Sequence, residues 1–226
     1  MDELKKIAHI ETDFETKFGV PRQSGLVKGL KGRIVFEPEY RNVEAFRGLE
    51  GFSHIWLLWD FSLIDKKDEK WSPTVRPPRL GGNQRMGVWA TRSPFRPNHI
   101  GLSSVRLTRI NLHTPIGPIL EVEGADLVNG TPSYDIKPYL PFTDCHPDAT
   151  GGFAQEQNEC TKPLNVKIPE ILSKEINNDV LEVLKNILAA DPRPHYHQDE
   201  ERIYSLVFAK REFKFRIRGE CVEILA

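Results

Sequence analysis

The stretch FSHIWLLWDFSLI, Phe52 to Ile64, holds one of the longest apolar runs of the chain, IWLLW at Ile55 to Trp59. Its β-branched and aromatic residues are typical of a β-strand, and the run is far too short to span a bilayer. Similar segments, separated by Gly, Pro and Asn clusters, are KIAHIET, GRIVFEP, MGVWAT, SSVRLTRINL and PILEVEGADLV. Many short strands in one run predict a mainly β fold, a barrel or a sandwich, for residues 1–140.

Two local features refine this prediction. The alternation of apolar and polar residues from Ser104 to Leu112 breaks near Thr108, which indicates a β-bulge. Asn42 is a candidate N-cap for a short helix that ends near Gly48 or Gly51.

The rest of the chain predicts a linker and a small α+β domain. Residues 141–163 lack periodicity and are rich in turn formers, which is typical of a linker. In residues 164–226, apolar positions from Ile176 to Leu188 predict a helix that the prolines after Asp191 end. The segments IYSLVFA and EFKFRIR predict strands, the second with one apolar and one basic face. A solvated basic face and an RNA-contacting one fit this pattern equally well.

Composition favours a globular protein of the cytoplasm. The chain has 226 residues, of which 39% are hydrophobic and 28% charged, and its N-terminus has no apolar region typical of a signal peptide. No glycine-rich dinucleotide or P-loop motif occurs, and histidines and cysteines do not stand at metal-ligand spacing. We therefore expect no metal.

Positive charge is concentrated in the middle of the chain. Residues 70–120 contain seven arginines, one lysine and no Asp or Glu, although the net charge of the whole chain is −1. Arginine favours bidentate contacts to phosphate or carboxylate, so an anionic partner is predicted. The alternative is that the arginines cap carbonyl groups of proline-rich loops.

A short motif, DIKPY, ends the β-rich region. Asp135, Lys137 and Tyr139 would share one face of a strand, with Ile136 on the other. The motif thus offers an acid, a base and a phenol within five residues.

Four segments resemble the TsaA-like family, and within it the bacterial tRNA methyltransferases of the TrmO type: RPPRLGGNQRMGVWATRSPFRPN, IGLSSVRL, LVNGTPSYDIKPYLP and DPRPHY. The resemblance covers nearly the whole chain. It implies a β-barrel enzyme, usually a homodimer, that uses S-adenosylmethionine to methylate the exocyclic nitrogen of threonylcarbamoyladenosine next to the anticodon of threonine tRNA. His99 and Asn129 depart from the usual motifs RPNPIG and DGTP.

The resemblance assigns a cofactor pocket, and the residues suggest roles for the rest of the site. The pocket is implied to contain Pro21, Arg22, Gln23, Phe61, Ser62, Arg92 and Ser103, although core packing is an equal alternative for Phe61. Because phosphates attract fixed positive charge, tRNA contacts are expected from Arg76, Arg79, Arg85 and Arg96. Asp191 and Arg193 of the DPRP segment are predicted to assist tRNA docking, and the alternative for this segment is helix termination alone, which needs its prolines but not its charges.

Catalysis is assigned to the DIKPY motif. Asp135 and Tyr139 are candidate proton acceptors, and Lys137 would lower the pKa of the phenol or hold a carboxylate. Trp71 and Trp89 are favoured as core residues, with stacking on an RNA base as the alternative. Two other functions remain open: a non-catalytic RNA-binding barrel, and a methyltransferase for a small anionic metabolite.

Overall fold

The computed structural model describes residues 4–64, 71–80, 84–155, 162–194, 197 and 199–225, without the side chain of Arg79. Within these ranges lie twelve strands, three α-helices whose bounds are complete and several short 3-10 helices. The strands are β1 (Ala8–Thr12), β2 (Lys31–Phe36), β3 (His54–Asp60), β4 (Thr74–Val75), β5 (Met86–Gly87), β6 (Ile100–Asn111), β7 (Ile119–Glu123), β8 (Thr131–Pro138), β9 (Asn165–Lys167), β10 (Tyr204–Phe208), β11 (Arg211–Arg218) and β12 (Cys221–Leu225). The helices are α1 (Pro141–Asp144), α2 (Glu170–Glu175) and α3 (Asn178–Ala189).

Six strands close into an antiparallel barrel in the order β1-β2-β7-β6-β3-β8. The alternation of side chains along β3 shows how the sequence fills the interior of this barrel. Ile55, Leu57 and Trp59 point into the barrel and are buried, whereas Trp56 and Leu58 between them point outward. The predicted bulge in β6 is confirmed by a register shift between Leu107 and Arg109.

A second sheet, of order β10-β11-β12-β9, forms the C-terminal α+β unit with α3. Phe213, Phe215 and Ile217 form its buried face, as their alternation predicts. On the opposite face, two of the basic side chains form ion pairs, in which Arg216 contacts Glu223 at 2.8 Å and Arg218 contacts Glu201. The core of this unit also contains Phe14, Val27 and Leu30 from the barrel half of the chain.

Of the other local predictions, some are confirmed and some differ from the structure. Asn42 accepts a hydrogen bond from the amide of Glu44 and begins a helix that is 3-10 in type, Val43–Phe46. MGVWAT is strand only at Met86–Gly87, because the chain then turns into a 3-10 helix, Val88–Ala90, that buries Val88. The predicted linker begins with α1, while α3 ends at Ala189 just before the DPRP segment, as expected.

Over the ranges that the structure describes, no helix is long and apolar enough to cross a membrane. Within the same ranges, no group of three or more His, Cys, Asp or Glu side chains stands close enough to hold a metal ion.

Candidate active site

A cleft of about 720 Å³ opens at one end of the barrel. Its walls come from the loop after β1, the end of β3, the loop before β6 and the turn between β7 and β8. Six of the seven side chains predicted for the cofactor line it: Pro21, Arg22, Gln23, Phe61, Ser62 and Arg92. The fold thus brings together residues from three distant segments.

The seventh residue, Ser103, lies beneath this cleft and is 2% exposed. Its hydroxyl donates a hydrogen bond to Asp126 Oδ1 at 2.6 Å and accepts one from Trp59 Nε1 at 3.0 Å. Trp59 and Asp126 both line the cleft, and the Trp59 ring packs edge-on against Phe61 at 4.3 Å between centroids. Ser103 therefore holds two cleft residues in place.

Asp126 supplies a largely buried carboxylate to this cleft. Burial raises the pKa of Asp126, and the hydrogen bond from Ser103 and the positive charge of Arg92 partly offset that rise. A carboxylate in this setting gains more than an exposed one from a cationic ligand, because such a ligand replaces the lost solvation.

Hydrogen bonds connect the loops around the cleft. Arg92 donates from Nη1 to the side-chain oxygen of Gln23, and Arg22 donates from Nη2 to the carbonyl of Arg193 at 3.3 Å. Contacts between separate loops place the polar groups before a ligand arrives, which reduces the entropic cost of binding.

A second, larger cleft of about 1680 Å³ adjoins the first. Three predicted nucleic-acid residues, Arg76, Arg85 and Arg96, line it together with Arg22 and Arg92. Among the described residues of its lining there is no Asp or Glu. The side chain of Arg79, a fourth predicted contact, lies outside the described residues.

Both tryptophans of this region lie at the surface, so the favoured assignment of Trp71 and Trp89 to the core is wrong. Their exposed fractions are 52% and 68%, and both line the second cleft. Their ring centroids lie 6.3 Å apart with planes inclined by 30°. Phe61 satisfies both of its alternatives, since it lines the clefts and packs on the barrel core.

Asp191 and Arg193 lie where the C-terminal unit meets the loop after β1. They form an ion pair at 3.0 Å, with side chains only 15% and 21% exposed. Asp191 also lines a third cavity of about 480 Å³, which Arg22 borders as well. Their contacts are made within the protein, and tRNA docking through them stays a prediction.

Asp135, Lys137 and Tyr139 of the DIKPY motif lie on the outer wall of the barrel, whereas Ile136 packs against its core. None of the five residues is among the described residues that line these clefts. Leu58 of β3 pairs with Asp135 on one side and with Leu102, a residue of the first cleft, on the other. The backbones of Asp135 and Leu102 are therefore two strand spacings apart, about 10 Å.

Lys137 and Asp135 share one face, as their spacing predicts, and form an ion pair at 2.8 Å. The hydrogen bond to Asp135 raises the pKa of Lys137. The pKa of Tyr139 is raised as well, by partial desolvation first and then by Cys145 and Asp144. Of the two roles considered for Lys137, holding a carboxylate is therefore the one that the geometry supports.

Asp144 orders the segment after DIKPY. Its Oδ2 accepts hydrogen bonds from Trp56 Nε1 at 2.8 Å and from the amide of Leu140 at 2.9 Å. The Tyr139 ring packs between Trp56 and His54, at 5.6 Å and 6.2 Å between centroids.

Comparisons with known proteins cover the whole of this architecture. Residues 9–145 match the model of the tRNA-methyltransferase O N-terminal domain, and residues 161–226 match that of the TrmO C-terminal domain. The chain belongs to the TrmO family. The resemblance found in the sequence and the mainly β fold with a barrel are thereby confirmed.

Two bacterial relatives align with this TrmO-family chain over most of their length. It is 40% identical to the tRNA (adenine(37)-N6)-methyltransferase of Escherichia coli, over 99% of this chain and 97% of that protein. It is also 40% identical to a putative S-adenosylmethionine-dependent methyltransferase of Pseudomonas aeruginosa, over 87% and 84% of the two chains. The crystal structure of TrmO from Pseudomonas aeruginosa superposes with a TM-score of 0.76 at 29% identity, over 100% of this chain and 98% of that one.

The two departures from the usual TrmO motifs have structural partners. The carbonyl of His99 accepts a hydrogen bond from the amide of Phe61 at 2.9 Å, and any residue at position 99 can make this contact. The side chain of Asn129 accepts from the amide of Thr12 and donates to Glu15, both at 3.3 Å. Asn129 thus joins the turn before β8 to the end of β1.

Asp126 is one of the site residues that the sequence analysis missed, as are its neighbours in the cleft Trp59 and Asp60. Asp126 stands in EGADLV, immediately after β7, and a carboxylate that follows a buried strand was the available signal. Composition alone did not distinguish it, because only the fold reveals that it is buried beside Ser103 and faces the cleft.

Proposed function

We propose that this member of the TrmO family transfers the methyl group of S-adenosylmethionine to the exocyclic nitrogen of threonylcarbamoyladenosine, next to the anticodon of threonine tRNA. The observation that carries the proposal is the pair of adjoining clefts. One contains a buried carboxylate and aromatic rings, the other contains arginines, and Arg22, Trp89, Arg92 and Arg96 line both. The Escherichia coli relative is named for methylation of adenine 37 of tRNA.

The residues of the first cleft fit S-adenosylmethionine. Its volume is within the usual range for sites of small ligands. Asp126 would hold a cationic group of the cofactor, Arg92 or Arg22 its carboxylate, and Trp59 and Phe61 its apolar parts. When bound, the cofactor supplies an electrophilic methyl group on sulfur.

Positioning supplies much of the rate enhancement in this proposal. An in-line transfer requires the donor and the nucleophilic nitrogen to be held in line, and orientation of this kind contributes up to about 7–11 kcal/mol. The loops that Gln23, Arg92 and Arg22 connect provide a preformed site of this kind. No metal ion is needed for this chemistry, and we propose none.

Asp135 is the proposed proton acceptor. Its side chain, held by Lys137 at 2.8 Å, would accept the proton that the nitrogen loses as it reacts. The raised pKa of Tyr139 keeps its phenol protonated at neutral pH, so that it serves as a hydrogen-bond donor to the substrate.

A homodimer would bring these groups to the reaction. In one chain the face that carries Asp135 and Lys137 points outward. The exposed Leu102 lies two strands away on the same side, and Phe142, which is 86% exposed, follows the motif along the chain. We propose that this face packs against a second copy and that the DIKPY residues of one subunit complete the clefts of the other. The enzyme is proposed to act in the cytoplasm, with the C-terminal unit assisting tRNA docking.

Mass spectrometry of tRNA after incubation with the enzyme and S-adenosylmethionine tests this function. We expect one methyl group to be added to threonylcarbamoyladenosine of threonine tRNA, and none to tRNA that lacks the threonylcarbamoyl group. Equal methylation of both tRNAs would contradict the proposed substrate. Binding of tRNA with no heat of S-adenosylmethionine binding by calorimetry would contradict an enzymatic role.

A further inference from the structure

We infer that Trp71 and Trp89, with Arg96, form a stacking platform for an unpaired RNA base that neighbours the reacting nucleotide. The inference rests on the proposed function for the identity of the RNA. It adds a binding site outside the cofactor cleft and a role for two side chains that the reaction itself does not use.

The first observation is the exposure of the two indole rings. Trp89 is 68% exposed and Trp71 52%, although tryptophan is usually largely buried in a folded protein. The rings lie beside each other, 6.3 Å between centroids and 30° between planes. Two large aromatic faces left to solvent at one place indicate a surface that a ligand covers.

The second observation is that this surface is held rigidly. Trp71 precedes β4 and Trp89 follows β5, and these two strands pair with each other. The amide of Val88 donates to the carbonyl of Pro73 at 2.9 Å, and the fully buried Val88 side chain anchors the turn that carries Trp89. A ligand therefore meets rings whose backbone is already fixed.

Arg96 completes the platform. Its guanidinium carbon lies 5.8 Å from the centre of the Trp89 ring, and its Nη1 donates to the carbonyl of Thr91 at 3.2 Å. A flat guanidinium held against an indole is a partner that both a base and a phosphate can contact.

Charge identifies the occupant as nucleic acid. Arg22, Arg76, Arg85, Arg92 and Arg96 line the surrounding cleft, whose described lining contains no acidic residue. Exposed aromatic rings within a basic groove are the combination that binds single-stranded nucleic acid, because bases stack on the rings while cations contact the phosphates.

Position determines which base the platform takes. Trp89 and Arg96 line the cofactor cleft as well as the larger one. A nucleotide whose base enters the cofactor cleft would thus place the next unpaired base of the strand on the indole rings. The platform then aligns the strand without taking part in the methyl transfer.

The test measures binding of a labelled, short single-stranded RNA to the full-length protein by fluorescence anisotropy. A strand of equal length that lacks its bases is the probe for phosphate contacts alone. We expect Trp89→Ala and Trp71→Ala each to weaken binding of the base-containing RNA by about 5- to 100-fold. Binding of the abasic strand should stay unchanged, and Trp89→Phe should recover most of the loss.

Two controls separate stacking from charge and from loss of folding. Arg76→Ala should weaken both strands equally, because it removes a phosphate contact. Ile116→Ala removes a partly exposed apolar side chain, 42% exposed, that does not line the clefts, and this variant should bind RNA as the wild type does. Thermal unfolding of Trp89→Ala should match the wild type, since the side chain is mostly exposed.

Three results would overturn the platform: wild-type affinity of both Trp→Ala variants for the base-containing RNA, equal losses for the two strands, or an acidic peptide that competes as well as the RNA. A methylation assay on the wild type runs in parallel. If tRNA is methylated while the variants bind normally, only the platform fails. If base-dependent binding occurs without methylation, the platform stands and the proposed function fails.

Discussion

Replacing Gly101 with alanine should disturb the cofactor cleft from beneath. A Cβ atom at this position would lie 2.3–2.6 Å from three atoms of the Trp59 ring, where an ordinary contact is 3.4–4 Å. The ring has little room to retreat, because its Nε1 donates to Ser103 at 3.0 Å and it packs edge-on against Phe61 at 4.3 Å between centroids. The indole must move by about 1 Å, a displacement that strains the core and breaks this hydrogen bond.

The cost follows from these two effects. Overpacking contributes about 1–3 kcal/mol and the lost hydrogen bond about 1 kcal/mol, so that unfolding should become easier by about 2–4 kcal/mol. For a chain of this size, that corresponds to a fall in Tm of about 4–16 °C. Calorimetry should also find weaker binding of S-adenosylmethionine, since Trp59 lines its proposed cleft.

Gly87→Ala provides the matched control. Its added Cβ would meet nothing within 4 Å, so its Tm and cofactor affinity should equal those of the wild type. A Tm for Gly101→Ala within 1–2 °C of the wild type, roughly the effect of less than 1 kcal/mol, would refute the reasoning about Trp59.

Four other substitutions test separate parts of the site. Asp126→Asn should raise Tm at neutral pH and yet weaken S-adenosylmethionine binding in calorimetry. The pKa of Asp126 is higher in the folded than in the unfolded protein, so the ionised carboxylate destabilises the fold once pH rises above the pKa of the unfolded state. A lower Tm for Asp126→Asn would contradict this sign. Asp144→Asn should lower Tm at neutral pH, and this difference in Tm should shrink as pH falls through the acidic range. Hydrogen bonds from the Leu140 amide and from Trp56 depress the pKa of this carboxyl, so its stabilisation is lost as it becomes protonated; a pH-independent difference in Tm would disprove it. Arg193→Ala should weaken tRNA binding in a filter assay and leave cofactor affinity unchanged, and unaltered tRNA affinity at moderate salt would remove the docking role. Arg92→Ala and Asp135→Ala, each inactive alone, should regain methyl transfer when mixed as subunits, whereas persistent inactivity of the mixture would argue against a shared site.

Much of the fold could be predicted because it depends on local patterns. The alternation in the β3 and β11 segments states which face is buried, and the break near Thr108 marks the bulge between Leu107 and Arg109. By contrast, β9 is three residues long and pairs with β12 from more than 50 positions away along the chain. A pairing between residues so far apart in the chain leaves no signal in a short window of sequence and could not be predicted from one.

The site divides in the same way. Pro21, Arg22 and Gln23 could be predicted from the family resemblance, and the tRNA arginines from the concentration of positive charge in residues 70–120. The fold brings those that it describes to two adjoining clefts. The exposure of Trp71 and Trp89 could not be predicted. Large hydrophobic side chains predict burial in the core, unless a bound ligand covers them in place of the core. Asp126 was missed because its significance comes from burial and from the hydroxyl of Ser103, both of which are tertiary.

Phe14, Val27 and Leu30 have a consequence for any attempt to divide this protein. These three side chains come from the first thirty residues yet pack among those of the C-terminal sheet. A fragment that stops after the barrel would present them to water and would tend to aggregate. Proteolysis between the two halves should therefore leave a nicked but associated molecule, which comes apart only in denaturant.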